Sequence, residues 1–127
     1  MVEDNHFDVY LIREALDGAK VDAEMDVVSD GELAISHFQQ LQGSNAPCPT
    51  LVILDINLPK RNGFEVLAEI RHCLRCADVP VLVFTSADLA QDRQEMSKLG
   101  ISGYFRKPTE YAEFMKLGEI VKGLLEH

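Results

Sequence analysis

Three carboxylates, a hydroxyl and an ammonium stand where short apolar runs of this chain stop. Glu3 and Asp4 follow Met1-Val2, and Asp55 ends Leu51-Val52-Ile53-Leu54. Thr85 ends the run that starts at Pro80 and closes with Phe84, and Lys107 follows the run over residues 102–105. Grouped carboxylates repel one another and favour a hard cation. Oxygen-only ligands, few in number, suit a Mg²⁺ ion that keeps several waters. A lysine and a hydroxyl beside such an ion suit a phosphoryl group, whose oxygens need positive charge and donors. Within this set Asp55 is the candidate nucleophile, able to form an aspartyl phosphate. Taken singly, each residue reads equally well as a cap or a turn residue. Only their convergence on one edge points to chemistry.

Convergence requires that each run be a strand of one parallel sheet. Leu51 to Leu54 is an unbroken aliphatic run between Pro49 and Pro59, and Val52 and Ile53 are β-branched. That pattern reads as a strand buried on both faces. The run from Pro80 to Phe84 reads the same way, and residues 23–28 and 102–105 supply two more strands. Met1-Val2 reads as the end of a first strand, short against the usual length of about five residues. Residues ahead of Met1 in the natural protein are the expected reason. Helices fall between the runs. Residues 8–18 carry Leu11, Ile12, Ala15 and Leu16 at helical spacing, capped by Asn5 or Asp8. Ser29-Asp30-Gly31-Glu32 has the spacing of a capping box and should open the second helix, which buries Ala34, Ile35, Phe38 and Leu41. Residues 64–72 present Val66, Leu67 and Ile70. A fourth helix starts at Asp88 or Ala90 and stops before Gly100, with a thin stripe of Leu89, Met96 and Leu99. A fifth runs from a Thr109 cap to Leu125. Five βα units predict an α/β fold: a doubly wound five-stranded parallel sheet, helices on both faces, right-handed crossovers. The strand carboxyl ends of such a sheet share the edge where ligands bind.

The chain has 127 residues, one domain's worth. Twelve Lys+Arg against 21 Asp+Glu give a formal charge of −9. That balance opposes binding to nucleic acid or to anionic membrane surfaces, and no apolar run approaches the roughly 20 residues of a membrane span. The cysteines are Cys48, Cys73 and Cys76. An odd number in a chain able to build its own core argues against a disulfide framework and for a reducing, cytoplasmic setting. Cys73-x-x-Cys76 has no companion motif, so its metal-like spacing reads as accidental. Residues 42–50 form a loop longer than most αβ connections. Leu125-Glu126-His127 looks like the start of an expression tag.

Val2-Glu3-Asp4-Asn5, then Leu54-Asp55-Ile56-Asn57-Leu58-Pro59 and Asn62-Gly63, then Thr85-Ser86-Ala87 and Lys107-Pro108, occur in order and on the right elements. In these motifs, over nearly the whole chain, the sequence resembles the receiver domains of response regulators in two-component signalling. The resemblance implies a flavodoxin-like strand order, 2-1-3-4-5. It implies that Asp55 accepts a phosphoryl group from a phosphohistidine of a sensor histidine kinase. It implies Mg²⁺ held by Asp4, Asp55 and the backbone carbonyl of Asn57, with Glu3 acting through water. Lys107 would pair with a phosphoryl oxygen. Thr85 would bond another, and Tyr104 would be the aromatic switch behind it. The Lys107-Pro108 bond would be cis, and small side chains at Ser86 and Ala87 would leave the site open. The loop with Asn45-Ala46-Pro47-Cys48-Pro49 resembles stand-alone receivers that serve phytochrome-type kinases.

Two other readings compete. A haloacid-dehalogenase-type phosphohydrolase also uses a strand-end aspartate with Mg²⁺, but places a second aspartate where this chain has Asn57, which cannot trade a proton as a carboxyl group does. A receiver-like binding module without phosphorylation would not need the acidic pair, Asp55, Thr85 and Lys107 together. A flavin carrier would want a phosphate-cradling loop where Glu3-Asp4-Asn5 stands. With no output domain visible, the expected partners are the kinase and a downstream protein or phosphotransfer partner. A homodimer through the fourth helix, fifth strand and fifth helix is a further expectation, because the fifth helix offers more apolar residues than one sheet contact uses.

Overall fold

The computed structural model describes residues 1–58, 60, 62–86 and 90–126. Pro59, Ala87, Asp88 and Leu89, named above in the turn, at the strand end and in the fourth helix, lie outside the described residues. Among the described residues five α-helices and three strands follow in the order α1 His6–Gly18, α2 Gly31–Gln42, β1 Val52–Leu54, α3 Gly63–His72, β2 Val81–Thr85, α4 Ala90–Leu99, β3 Gly103–Arg106 and α5 Tyr111–Leu125. A 3-10 turn, Leu74–Cys76, follows α3. The strands form one parallel sheet in the order β1-β2-β3, with Val52 opposite Val81 and Leu82 opposite Gly103.

The five strands expected from the sequence are not what forms. Val2 makes single parallel bridges, to Val28 on one side and to Leu54 on the other. Its N–H donates to the Ile53 carbonyl at 2.8 Å, and the Glu3 N–H donates to the Val28 carbonyl at 3.0 Å. Asn5 already caps α1, so the first segment offers too few residues to template a ladder. Residues 23–27, expected as strand, therefore stay irregular, and only Val28 pairs.

Every residue of β1 and β2 is buried. Alternate side chains go to opposite faces, as the pleat requires. Ile53, Leu82 and Phe84 pack with Ile12, Ala15, Phe114, Leu117 and Val121 under α1 and α5. Val52, Leu54, Val81 and Val83 pack with Ala34, Phe38, Val66, Leu67, Ile70 and Met96 under α2, α3 and α4. Phe84 is the centre of the first layer, stacked on Phe105 at 5.8 Å and edge-on to Phe114 at 5.3 Å between ring centres.

The caps differ in detail from the sequence reading. Asn5 takes the N–H groups of Phe7 and Asp8 at the start of α1. Asp30, not Ser29, caps α2 through the Leu33 N–H at 2.8 Å. Asn62 caps α3. Glu110 occupies the cap position of α5 without a side-chain bond, so Thr109 is not its cap. Arg71, at the end of α3, gathers four carbonyls: Ala77 and Val79 at 2.8 Å, Leu99 at 3.0 Å and Gly100. It thereby ties the C-terminal end of α4 to the chain leading into β2.

Two further expectations are corrected. Cys48 and Cys76 are joined by a disulfide, with Cα atoms 5.7 Å apart, and Cys73 is the free, buried thiol. The count of cysteines could not see that the long loop lays Cys48 beside the 3-10 turn, at an ordinary disulfide separation. The apolar surplus of α5 is mostly used, because this helix packs on α1 as well as on the sheet. Phe114, Leu117 and Val121 are buried, while Tyr111 and Ile120 remain exposed. Among the described residues no helix is long and apolar enough to cross a membrane.

The α1–α5 contact depends on Gly118. A Cβ there would run into the Ala15 carbonyl and lie 2.9 Å from the Ala19 Cβ. Gly118→Ala should destabilise the chain by about 3 kcal/mol, because overpacking a backbone contact forces the helices apart. Gly18→Ala, which meets nothing within 4 Å, is the control. Urea unfolding of both variants measures the difference, and equal midpoints would refute the packing argument.

Candidate functional site

Asp55 leaves the ladder at the carboxyl end of β1. Its N–H is fixed to the Val2 carbonyl at 3.0 Å, and the residue is 4% exposed. One carboxylate oxygen accepts the Asn57 N–H at 3.2 Å, and the other accepts from Lys107 Nζ at 3.2 Å. The turn beyond closes against Gly63, whose N–H donates to the Ile56 carbonyl at 2.8 Å. A Cβ at that position would fall 2.7 Å from the Asp55 carbonyl oxygen, so only glycine lets α3 start so close.

Lys107 arrives from the end of β3. Its backbone N–H donates to the Thr85 carbonyl at 2.7 Å, which carries the ladder one step past the strand. Its ammonium lies 2.7 Å from Asp8, 3.0 Å from Glu3 and 3.2 Å from Asp55, with the Phe84 ring centre 5.1 Å away. Burial alone would lower the pKa of this ammonium. The bonds to Asp8 and Glu3 and the charge of Asp55 outweigh burial and raise it. Lys107 is therefore a permanent cation here. Its peptide bond to Pro108 is trans, against the cis form that the resemblance implied. Trans is the commoner isomer before proline, and the ammonium reaches the carboxylates in that form.

Glu3 is 2% exposed. One of its oxygens takes the Asn5 N–H at 3.2 Å. The other is paired with the Lys107 ammonium at 3.0 Å. Burial raises the Glu3 carboxyl to about 7, helped by the Asp55 charge and opposed by Lys107. Glu3, Asp4 and Asp55 each offer an oxygen, all within 4.8 Å of one another. Asp4 is exposed and Asn57 is exposed, so the cluster opens to solvent on that side. An oxygen-only set of carboxylates that outnumber the one ammonium beside them fits a hard divalent cation.

Thr85 is fully buried at the end of β2. Tyr104 stands on β3 opposite Val83, two residues before the position level with Thr85, and hence on the same face. Its ring is half-buried against the α2–α3–α4 layer, with the Arg93 guanidinium 4.4 Å from the ring centre. The structure thus brings Glu3, Asp4, Asp55 and Lys107 together, ties Thr85 to them through backbone, and sets Tyr104 beside the adjoining layer.

Asp8 was missed as a site residue. The sequence offered it as a helix cap, a role that Asn5 takes. Its signal was present: it stands in the first turn of a helix that opens at the carboxyl edge of the sheet, four residues after Asp4.

Comparison with known proteins agrees with this geometry. The model of the response regulator receiver domain family matches residues 1–118. Response regulator Rcp1 of Synechocystis sp. is 35% identical over 119 residues, which cover 92% of this chain and 80% of that protein. The structure of the phosphorylated cyanobacterial phytochrome response regulator RcpA aligns with a TM-score of 0.86 at 32% identity, over 98% of this chain and 90% of that one. The Mn²⁺-bound form of Rcp1 aligns with a TM-score of 0.84 at 32% identity, over 96% and 88%. With its acidic strand-end cluster, its parallel sheet and a family match over nearly all of its length, the chain belongs to the response regulator receiver domains of two-component signalling.

Proposed function

We propose that this receiver domain takes a phosphoryl group onto Asp55 from a phosphohistidine of a sensor histidine kinase and passes the signal on by a conformational switch. The observation that carries the reading is the Lys107 ammonium 3.2 Å from a buried Asp55 carboxylate, within a cluster of acids at the sheet edge. An Asp55 oxygen forms the P–O bond as the P–N bond of the donor breaks, and the electron pair returns to the imidazole. Lys107 pairs with a phosphoryl oxygen, and its bonds to Asp8 and Glu3 hold it until then. Thr85 bonds a second phosphoryl oxygen, and Tyr104 follows as the switch. Asp4, Asp55 and the Asn57 carbonyl would hold Mg²⁺, with Glu3 acting through water. Bound there, the ion would neutralise charge on the carboxylates and the phosphoryl oxygens. The likeness to phytochrome response regulators supports a phytochrome-type kinase as donor. The domain is a stoichiometric acceptor that also promotes loss of its own phosphate. The Val28–Val2–Leu54 bridges support the 2-1-3-4-5 order for the whole sheet.

Incubation with acetyl phosphate and Mg²⁺ should add one phosphoryl mass to the chain, absent in Asp55→Asn and absent when a chelator removes the metal. A modification that persists in Asp55→Asn, or with chelator, refutes the corresponding assignment.

The raised Glu3 carboxyl adds a proton to the metal equilibrium. Between its ordinary value of 4.5 and about 7 the folded chain holds a proton that the unfolded chain has lost. Glu3 therefore favours the fold at the acid end of that window, and this contribution falls as pH rises through it. A cation placed beside Glu3 should displace that proton. Calorimetry of Mg²⁺ binding near about pH 6, in buffers of different ionisation enthalpy, should show proton release that fades near about pH 9 and is lost in Glu3→Gln. A heat independent of buffer at the lower pH would remove Glu3 from the site.

The α4–β3–α5 face, where Ile120 is exposed, is the proposed surface for self-association or a downstream protein; Tyr111 instead faces α1, where its hydroxyl donates to Glu14 at 3.2 Å. Sedimentation should show a heavier species with beryllium fluoride than without it, reversed by Ile120→Glu. A monomer under both conditions leaves a heterologous partner as the outlet.

A further inference from the structure

We propose that the Cys48–Cys76 pair is a reversible thiol–disulfide site that exchanges with a small thiol of the glutathione class and fastens or frees the loop ahead of β1. The disulfide joins that loop to the 3-10 turn across 28 residues. Both cysteines line a surface cleft of about 390 Å³, together with Arg75, Pro80 and Leu124. Cys76 is buried, whereas Cys48 is only partly so, which makes the Cys48 sulfur the accessible end. Arg75 places a cation on the cleft wall, which favours an incoming thiolate and the thiolate that leaves.

The pair is not needed to assemble the core. Cys76 sits at the border of the α2–α3–α4 layer with Cys48 against it, but aliphatic and aromatic side chains make up most of that layer and all the buried residues of the other. The loop also has a second hold, since Arg75 donates to the Leu41 carbonyl at 2.6 Å and to the Ala46 carbonyl at 2.7 Å. Residues 42–47 are exposed throughout. Opening the disulfide therefore releases an exposed loop and leaves the fold in place. A site that can open without unfolding can cycle, which distinguishes it from a structural crosslink.

The exchange balances with the thiol as reductant. Its thiolate attacks Cys48 Sγ, the Cys48–Cys76 bond breaks, and the electron pair goes to Cys76 Sγ, which takes up a proton. A second thiolate attacks the mixed disulfide, leaves as the oxidised small disulfide, and frees Cys48 as a thiol. Oxidised glutathione runs the sequence backwards. The cleft lies before β1 and Asp55 lies after it, so this chemistry is separate from that of the acidic cluster.

The test equilibrates the full chain with graded ratios of reduced to oxidised glutathione, quenches with acid and alkylates the free thiols for mass spectrometry. Cys48 and Cys76 should become alkylated together as the ratio rises and close again as it falls, with far-UV circular dichroism unchanged. Cys73, being buried, should not exchange, and Cys73→Ser should titrate as the parent chain does. Proteinase K should cut within residues 43–50 about tenfold faster in the reduced form, as expected of a loop that has lost a constraint. Cys48→Ser should show the fast rate at every ratio. Failure to liberate thiols without denaturant, failure to reclose, or loss of helix on reduction would each overturn the proposal. Those outcomes leave the Asp55 reading untouched, and they can be scored on the parent chain even if Cys48→Ser does not fold.

Discussion

Val52–Leu54 and Val81–Thr85 are buried on both faces, so no charged side chain can stand along them. A charge there would lose its water without gaining a partner, a cost far above the stability of a domain this size. Polar groups are therefore expelled to the strand ends. At the carboxyl ends they meet, because parallel strands all stop on the same edge. The site follows from the way the sheet is buried, and the helices that cover the two faces wall it in.

At that edge the chain concentrates like charge. Four carboxylates, those of Glu3, Asp4, Asp8 and Asp55, surround one ammonium. Lys107 satisfies three of them and leaves the cluster negative. Burial is what chiefly raises the Glu3 carboxyl, and the Asp55 charge adds to it against the pull of Lys107. An imbalance of this kind lowers stability and raises affinity for a divalent ion, a trade between fold and binding that active sites commonly make.

Much of this was legible from residue order alone. Unbroken apolar runs ending in Asp55 and Thr85 betrayed the central strands, and helical spacing betrayed the five helices. What escaped depended on distance in space. Residues 23–27 read as strand by composition, yet a strand exists only where a neighbour supplies a ladder, and Val2 supplies one rung. Asp8 read as a cap because sequence cannot show that Asn5 has taken the cap and left Asp8 to Lys107. The disulfide escaped because loop residues carry no periodicity from which to place Cys48. The apolar surplus of α5 was read as free surface because its second neighbour, α1, lies at the other end of the chain.

The four carbonyls gathered by Arg71 have a mechanical meaning. They fasten the last turn of α4 to the body of the domain, while Met96 is the only described residue of that helix that is fully buried. The ten residues of α4 span about 15 Å at the usual rise, which makes the helix a lever pivoted at its C-terminal end. A small tilt about that pivot moves the far end most, and the far end is the one that follows Thr85. For the proposed switch, a displacement at the edge of the sheet would be delivered as rotation of one thinly seated helix, with the rest of the domain as the fixed frame.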